Sequence, residues 1–206
     1  ADCDAPRVAR PYFTIVPSGI IWRYAMERDR NAYVNTLASI CMEWLRQLPE
    51  LRMLVLPHVV NGDPGDDRLV ARELLAVLEA RRAPVHRVVY IDDILLPRQA
   101  RRLLGQSEWV FTGRMHAAIS ALTQGVPALS LAYSQKYRGI IGECLGLHDA
   151  VIDVRRCAWH DIEKEVITRL QLLGTDWAQL KEEVMRRVAV MRQEALKSIR
   201  STVAMQ

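Results

Sequence analysis

The chain has 206 residues, of which 50% are hydrophobic and 25% charged, a composition that excludes disordered, collagen-like and fibrous proteins. The net charge is +4, but the basic residues are interleaved with acidic ones along predicted helices, which argues against nucleic-acid binding. The longest weakly polar stretch, residues 117–133, is interrupted by polar residues and is shorter than the roughly 20 apolar residues that span a bilayer. We expect a globular chain without a membrane-spanning helix, which leaves contact with a membrane surface open.

Short β-rich runs alternate with longer helical runs, the pattern of βαβ units and a parallel sheet. The predicted strands span residues 12–16, 53–60, 85–91, 109–111, 128–132 and 150–154. The predicted helices span residues 29–48, 69–78, 97–104, 114–124 and 137–145, and then 159 to the C-terminus with a break at 174–176. The predicted fold class is α/β: a single doubly wound parallel sheet domain over residues 1–206, with a long C-terminal helical segment from about residue 159.

The N-terminal residues and the cysteines indicate the cellular compartment in which the chain is expected. Residues 1–10 contain two Asp and no apolar run, so they do not have the pattern of a secretory signal. The four cysteines, at positions 3, 41, 144 and 157, form no C-x-x-C pair and have no zinc-like spacing with histidine. We expect reduced thiols, no metal site and a cytoplasmic location.

The turn after the fourth predicted strand has the composition of an anion site. Gly113 lets backbone approach a ligand, and the helix that follows offers free N–H groups. The helix dipole disfavours an arginine at that position, so Arg114 predicts a carboxylate or phosphate held between the guanidinium and the helix end. His116, near the same mouth, can give or take a proton near neutral pH. The alternative for His116 is a histidine held by a backbone contact.

The next strand-to-helix turn carries Tyr133 and Lys136. Adjacent parallel strands place their C-terminal turns side by side, so Lys136 can face the turn of His116. An ammonium there would act as a point charge on a phosphate leaving group. The alternative is a solvated lysine whose stem lies along the surface.

Three segments together resemble the polysaccharide pyruvyl transferase family. They are Thr112-Gly113-Arg114-Met115-His116-Ala117, then Gln124-Gly125-Val126-Pro127, then Tyr133 with Lys136. In that family the region looks like a strand, Arg-Leu-His-Ala, an apolar helix, Gly-x-Pro, a second strand and a Tyr-x-x-Lys turn. Met115 replaces the usual Leu here, and Ser134-Gln135 stand where the family often has Asp-Pro. The resemblance covers about residues 108 to 146.

The resemblance implies transfer of the carbon skeleton of phosphoenolpyruvate to sugar hydroxyls, usually as a ketal on a cell-surface polysaccharide or its lipid-linked precursor. It also implies a GT-B-like fold with two Rossmann-like halves, of which this chain matches the C-terminal one. We therefore expect an N-terminal partner domain outside this chain. Phosphoenolpyruvate is the expected donor substrate, a sugar or lipid-linked saccharide is the expected acceptor, and no cofactor is expected.

The roles assigned within this chemistry follow from charge and acidity. His116 is the general acid or base, Arg114 grips the donor carboxylate or phosphate, and Lys136 offsets charge on the departing phosphate. Further substrate-binding residues are expected near them, namely Gly113, Met115, Tyr133 and, as a candidate for an arginine that the family uses nearer its N-terminus, Arg23.

Four other polar residues are weaker candidates for the same cleft. Asp92 and Asp93 follow the third strand and could hold a sugar hydroxyl or a ribose, although a helix-capping loop is the favoured interpretation. Glu143 is favoured on a solvated helix face. His58 precedes the polar loop at 61–66 and could line the cleft, although a structural histidine is favoured.

Two other functions remain open. A GT-B sugar-nucleotide glycosyltransferase or epimerase half would bind a nucleotide diphosphate at the same turns, but such halves typically carry paired acids after a Gly-rich turn, and no Glu-Glu pair follows Gly125. A non-catalytic module would bind an anion or a sugar with Arg114 and Lys136, and His116 would transfer no proton.

Overall fold

The structure is a computed structural model that describes residues 6–25, 31–155, 157–173 and 177–204. The strands are β1 (Tyr12–Val16), β2 (Arg52–Val55), β3 (Val88–Tyr90), β4 (Val110–Thr112), β5 (Ala128–Ala132) and β6 (Val151–Asp153). The helices are α1 (Gly19–Ala25), α2 (Ala32–Gln47), α3 (Asp67–Ala80), α4 (Pro97–Gly105), α5 (Met115–Leu122), α6 (Trp159–Leu173) and α7 (Trp177–Ala204). A π-helical segment, Arg138–Cys144, and two 3₁₀ turns, Val85–Arg87 and His148–Ala150, lie between them.

The six strands form one parallel sheet in the order β3-β2-β1-β4-β5-β6. From β1 the chain builds outward to β3, crosses back to β4 on the other side of β1, and then builds outward to β6. The strand order therefore reverses between β1 and β4, where Val16 is paired with Thr112. Doubly wound sheets bind their ligands in the crevice at this topological switch point.

Both faces of the sheet are covered, and this explains why β1 and β5 are buried at every residue. Helices α1, α2, α3 and α6 pack on one face, where Trp44 lies edge-on against Trp109 with ring centroids 4.2 Å apart. Helices α4, α5 and α7 pack on the other face. There the hydroxyl of Tyr12 donates a 2.8 Å hydrogen bond to the carbonyl of Leu103. The core thus holds the sheet rigid beneath its loops.

The predicted doubly wound α/β fold class is confirmed, and the differences lie in individual elements. Helix α1 was not predicted; it begins where the Ser18 hydroxyl accepts a hydrogen bond from the backbone N–H of Ile21. The second strand was predicted to reach residue 60 but ends at Val55. The chain leaves the sheet there because the N–H groups of His58 and Val59 bind a carboxylate instead of a strand.

Two other predictions at the element level have clear outcomes. The helix expected at 137–145 is the π-helical segment 138–144. The third strand begins at Val88 rather than at residue 85, because residues 85–87 form a 3₁₀ turn. The predicted start of the first helix at residue 29 and the predicted break at 174–176 lie outside the described residues.

The membrane and cysteine predictions can be checked for the described part of the chain. No helix there is long and apolar enough to cross a membrane. Cys41 is buried, Cys144 and Cys157 are exposed, and all three are free thiols.

Candidate functional site

The candidate site lies at the switch point, where three loops leave the carboxyl ends of neighbouring strands. The first joins β1 to α1 at residues 17–18, the second joins β2 to α3 at residues 56–66, and the third joins β4 to α5 at residues 113–114. Strands β2 and β4 lie on either side of β1. Their ends are therefore about 10 Å apart, twice the usual strand spacing, which matches the size of a small ligand.

Asp67, in the first turn of α3, ties these three loops together. Its carboxylate accepts hydrogen bonds from the backbone N–H groups of Gly19 (2.8 Å), His58 (3.2 Å) and Val59 (2.9 Å). It also accepts three from the guanidinium of Arg114. Asp67 is fully buried, so these bonds and the N-terminus of α3 stabilise its charge. One carboxylate thus fixes the three loops relative to one another.

Arg114 is held inside the protein by this carboxylate. Nε and Nη2 donate to Oδ1 of Asp67 at 3.0 and 2.6 Å, and Nη2 also donates to the carbonyl of Gly65 at 2.8 Å. Only 8% of the Arg114 side chain is exposed. The carboxylate that the sequence predicted against this guanidinium is therefore the protein's own. Among the described residues Nη1 of Arg114 has no hydrogen-bond partner, so that edge remains for a ligand.

The close approach of the loops explains two glycines. A Cβ on Gly113 would lie 2.6 Å from Cβ of Ser18 and 2.7 Å from Cδ1 of Ile21. A Cβ on Gly19 would lie 2.4 Å from the carbonyl oxygen of Gly65. The absence of a side chain at Gly113 therefore lets α1 pack closely against the end of β4. The expected contact of Gly113 with a ligand stays a prediction.

Two histidines lie at this edge of the sheet. His116 is the second residue of α5 and is exposed. His58 is half-buried, and burial lowers its pKa; the Asp67 carboxylate opposes this shift, whereas the charges of Arg114 and His116 add to it. His58 is thus near enough to His116 for their charges to interact. The sequence favoured a structural role for His58 and did not predict this proximity.

The turn that carries Lys136 is joined to the turn before His116. The hydroxyl of Tyr137 donates a buried 2.8 Å hydrogen bond to the carbonyl of Gly113, and burial raises the pKa of Tyr137. Tyr133 packs edge-on against Tyr137, with ring centroids 5.5 Å apart. Lys136 itself is exposed. The two turns are neighbours as expected, while convergence of the side chains on one ligand stays a prediction.

The remaining predicted substrate-binding residues lie around the same edge. Arg23 is exposed in the last turn of α1, the helix that follows β1. Met115 is half-buried at the start of α5 and packs against the core on the α4 and α5 face. These placements of Arg23 and Met115 do not test their expected roles in substrate binding, which stay predictions.

The weaker candidates are occupied with protein partners or face solvent. Asp92 is exposed and accepts hydrogen bonds from Nη2 of Arg72 (2.8 Å) and from the hydroxyl of Tyr90 (2.6 Å). Asp93 is exposed, and the side chain of Glu143 is 72% exposed.

Across the described ranges, no three His, Cys, Asp or Glu side chains are grouped to hold a metal ion.

Asp67 was not predicted from the sequence, although a local signal was present. Two acidic residues, Asp66 and Asp67, precede an apolar helix. Asp66 is the N-cap and accepts a hydrogen bond from the backbone N–H of Arg68 at 2.9 Å. One acid suffices to cap a helix, so the second was available for another partner.

With this geometry in view, the family of the chain can be decided. A family model for polysaccharide pyruvyl transferases matches residues 13–135, which is more than half of the chain and includes Asp67, Arg114 and His116. This chain belongs to the polysaccharide pyruvyl transferase family. The match ends one residue before Lys136. The assignment of Lys136 to the site therefore rests only on the resemblance of its turn to the Tyr-x-x-Lys turn of the family.

Two solved structures of other proteins share the fold of this pyruvyl transferase family member. A mutant O-GlcNAc transferase from Thermobaculum terrenum is similar with a TM-score of 0.54 and 19% identity, over 91% of this chain and 33% of that one. A UDP-GlcNAc 2-epimerase from Neisseria meningitidis, bound to UDP-GlcNAc, is similar with a TM-score of 0.54 and 13% identity, over 93% of this chain and 45% of that one. This chain spans less than half the length of either, and the likeness supports a GT-B-like Rossmann fold.

Proposed function

We propose that this chain forms the donor site of a polysaccharide pyruvyl transferase, which moves the pyruvyl group of phosphoenolpyruvate onto two hydroxyls of a sugar as a ketal. The observation that supports it best is the position of the Arg-x-His segment: Arg114 and His116 open α5 at the topological switch point. The neighbouring turn carries Lys136. A helix N-terminus, a guanidinium edge and an ammonium are groups that hold phosphate and carboxylate.

The proposed reaction has two additions at C2 of the donor. In the first, a proton adds to C3 and turns the methylene into a methyl group, while one hydroxyl oxygen bonds to C2 and loses its proton. In the second, the C2–O bond to phosphate breaks, a second hydroxyl oxygen bonds to C2, and its proton leaves. The products are the ketal and inorganic phosphate, and no oxidant or reductant enters the balance.

His116 is the proposed acid for C3, because it is exposed at the mouth of the site, where a donor can reach it. The free Nη1 edge of Arg114 and the first N–H groups of α5 would bind the donor carboxylate. Lys136 would offset the charge that grows on the departing phosphate. Asp67 acts through Arg114 as a positioning residue, because it fixes the plane of the guanidinium before the donor arrives.

Further contacts with the substrates are part of the proposal. Gly113, Met115 and Tyr133 would line the donor at the turns after β4 and β5, and Arg23 would approach it from α1. The acceptor, a sugar or a lipid-linked saccharide, would lie between this chain and a partner domain. Such a domain is expected because the structural neighbours are two to three times as long as this chain.

Single-turnover kinetics test the proposed roles. In His116→Gln the transfer rate should fall by about 10²- to 10⁴-fold, the usual contribution of a positioned acid, while the affinity for phosphoenolpyruvate stays close to wild type. His148→Gln is the matched control, since His148 is another exposed histidine, in a 3₁₀ turn beside β6. If His116→Gln lost donor affinity but kept its rate at saturation, His116 would be a binding group and its proposed role would be withdrawn.

A further inference from the structure

His58 lies in the loop after β2 and has no role in the reaction proposed above. It follows β2, on the far side of β1 from the turn that leads into α5. Its backbone N–H donates to Oδ2 of Asp67 at 3.2 Å, while Oδ1 of the same carboxylate binds Arg114. The backbone of His58 and the guanidinium of Arg114 are therefore fixed to one another through a single buried group.

The imidazole of His58 has one ring nitrogen without a protein partner among the residues that the structure describes. Within the described part of the chain, its buried Nδ1 has no hydrogen-bond partner, whereas the great majority of buried polar atoms in proteins have one. Three charged or titratable groups face it: Asp67 on α3, Arg114 before α5, and His116 on α5. Burial and the two cationic groups favour its neutral form. A neutral imidazole is the form that accepts a proton.

We propose that His58 is a second proton-transfer residue of this site, which accepts the proton of the attacking sugar hydroxyl while His116 protonates C3 of the donor. The inference rests on the proposed pyruvyl transfer. It divides one reaction between two imidazoles whose loops follow β2 and β4, on either side of β1, so that a base and an acid would approach C2 and C3 from two sides.

The proton transfers assigned to the two histidines balance over a full catalytic cycle. In the first addition, His116 begins charged and gives its proton to C3, and His58 begins neutral and takes the proton of the first hydroxyl. In the second addition, the now neutral His116 takes the proton of the second hydroxyl, and the now charged His58 gives its proton to the departing phosphate. Both histidines end in the state in which they began, ready for the next donor.

Histidine NMR titrations test the inference without an acceptor. With phosphoenolpyruvate bound at neutral pH, the ring signals of both His58 and His116 should move, with His116 charged and His58 neutral, while the ring signal of His148 stays unchanged. His58→Gln and His116→Gln assign the signals, and His116→Gln should raise the pKa of His58, because a cationic neighbour of His58 is lost. A His58 signal that ignores the donor while that of His116 responds would overturn the inference and leave the proposed function standing. No response at any histidine would count against both.

A transfer assay then separates proton transfer from a structural role. With phosphoenolpyruvate and a methyl glycoside bearing free 4- and 6-hydroxyls, His58→Ala should release phosphate about 10²- to 10⁴-fold more slowly than wild type. Added imidazole should restore part of the rate, which it would not do if the variant were merely misfolded. A His58→Ala rate equal to wild type would overturn the inference.

Discussion

Nη2 of Arg114 donates a 2.6 Å hydrogen bond to Oδ1 of Asp67, which lies 47 residues earlier in the chain. The two side chains are 8% and 0% exposed, so this is a buried ion pair at the mouth of the switch-point crevice. It neutralises much of the charge that Arg114 would otherwise offer to a donor. The remaining attraction for an anion therefore comes from the free Nη1 edge, the N-terminus of α5 and Lys136.

Asp67→Asn should destabilise the fold strongly. Breaking a buried ion pair on one side leaves a buried charge without its partner, which typically costs about 3 to 5 kcal/mol. Urea unfolding would measure the loss. Asp153→Asn is the control, because the Asp153–Arg155 pair is partly exposed (side chains 20% and 36%) and pairs of that kind contribute little. Equal losses in the two variants would contradict the structural role given to Asp67.

Tyr137→Phe should loosen the link between the turns of Lys136 and His116. The variant removes the 2.8 Å hydrogen bond to the carbonyl of Gly113 and leaves that buried carbonyl unpaired, at a cost of about 1 to 2 kcal/mol. We expect a lower melting temperature and a slower transfer rate. Tyr24→Phe serves as control, because Tyr24 is 61% exposed; a melting temperature for Tyr137→Phe that matches the control would argue against this link.

The α/β fold class and the approximate positions of the strands could be predicted from the sequence, but helix α1 could not. Strands β1 and β5 are mostly apolar and are buried at every residue, and a largely apolar strand of this kind is recognisable from the sequence. Helix α1 has only seven residues and depends on the Ser18 cap and on a contact with Gly113. Those contacts arise only once β1 and β4 are paired.

The site could be predicted in part for the same reason. Arg114 and His116 belong to one local motif, so they were visible in the sequence. The partner of Arg114 was not, because Asp66 and Asp67 are both acidic and adjacent in sequence. Only the folded loop decides which one caps α3 and which one binds Arg114. His58 was visible as a residue near the cleft, but its proximity to His116 depends on β2 and β4 lying on either side of β1.

Gly113→Ala should disturb the site through sterics alone. The added methyl would lie 2.6 Å from Cβ of Ser18, and overpacking of this kind costs about 1 to 3 kcal/mol. Gly139→Ala is the matched control, since a Cβ there meets nothing within 4 Å. Thermal unfolding of both variants checks the prediction, and a Gly113→Ala protein as stable as Gly139→Ala would refute the packing argument.

The stability of the fold should decline on mild acidification because of His58. Its folded pKa lies below its ordinary value of about 6.5, so the unfolded chain takes up a proton first as pH falls through that value. The free energy of unfolding should therefore decrease from about pH 7 towards pH 5, until the folded pKa is passed. Asp153, with its pKa held at about 2 by Arg155, loses its contribution only at lower pH.

Urea unfolding of wild type and His58→Gln at a series of pH values isolates this effect. The variant should be less sensitive to pH across the window from about pH 7 to pH 5, because glutamine does not titrate. A pH dependence that is the same in both proteins would show that His58 is not the group responsible.

Calorimetry with phosphoenolpyruvate and with UDP-GlcNAc, carried out on the same protein, tests the proposed function most directly. The proposal predicts saturable heat with phosphoenolpyruvate and no heat with UDP-GlcNAc. Binding of phosphoenolpyruvate should be weaker in Lys136→Ala, because the ammonium that attracts the donor phosphate is lost. Saturable heat with UDP-GlcNAc and none with phosphoenolpyruvate would contradict the proposal and assign the switch-point crevice to a nucleotide sugar.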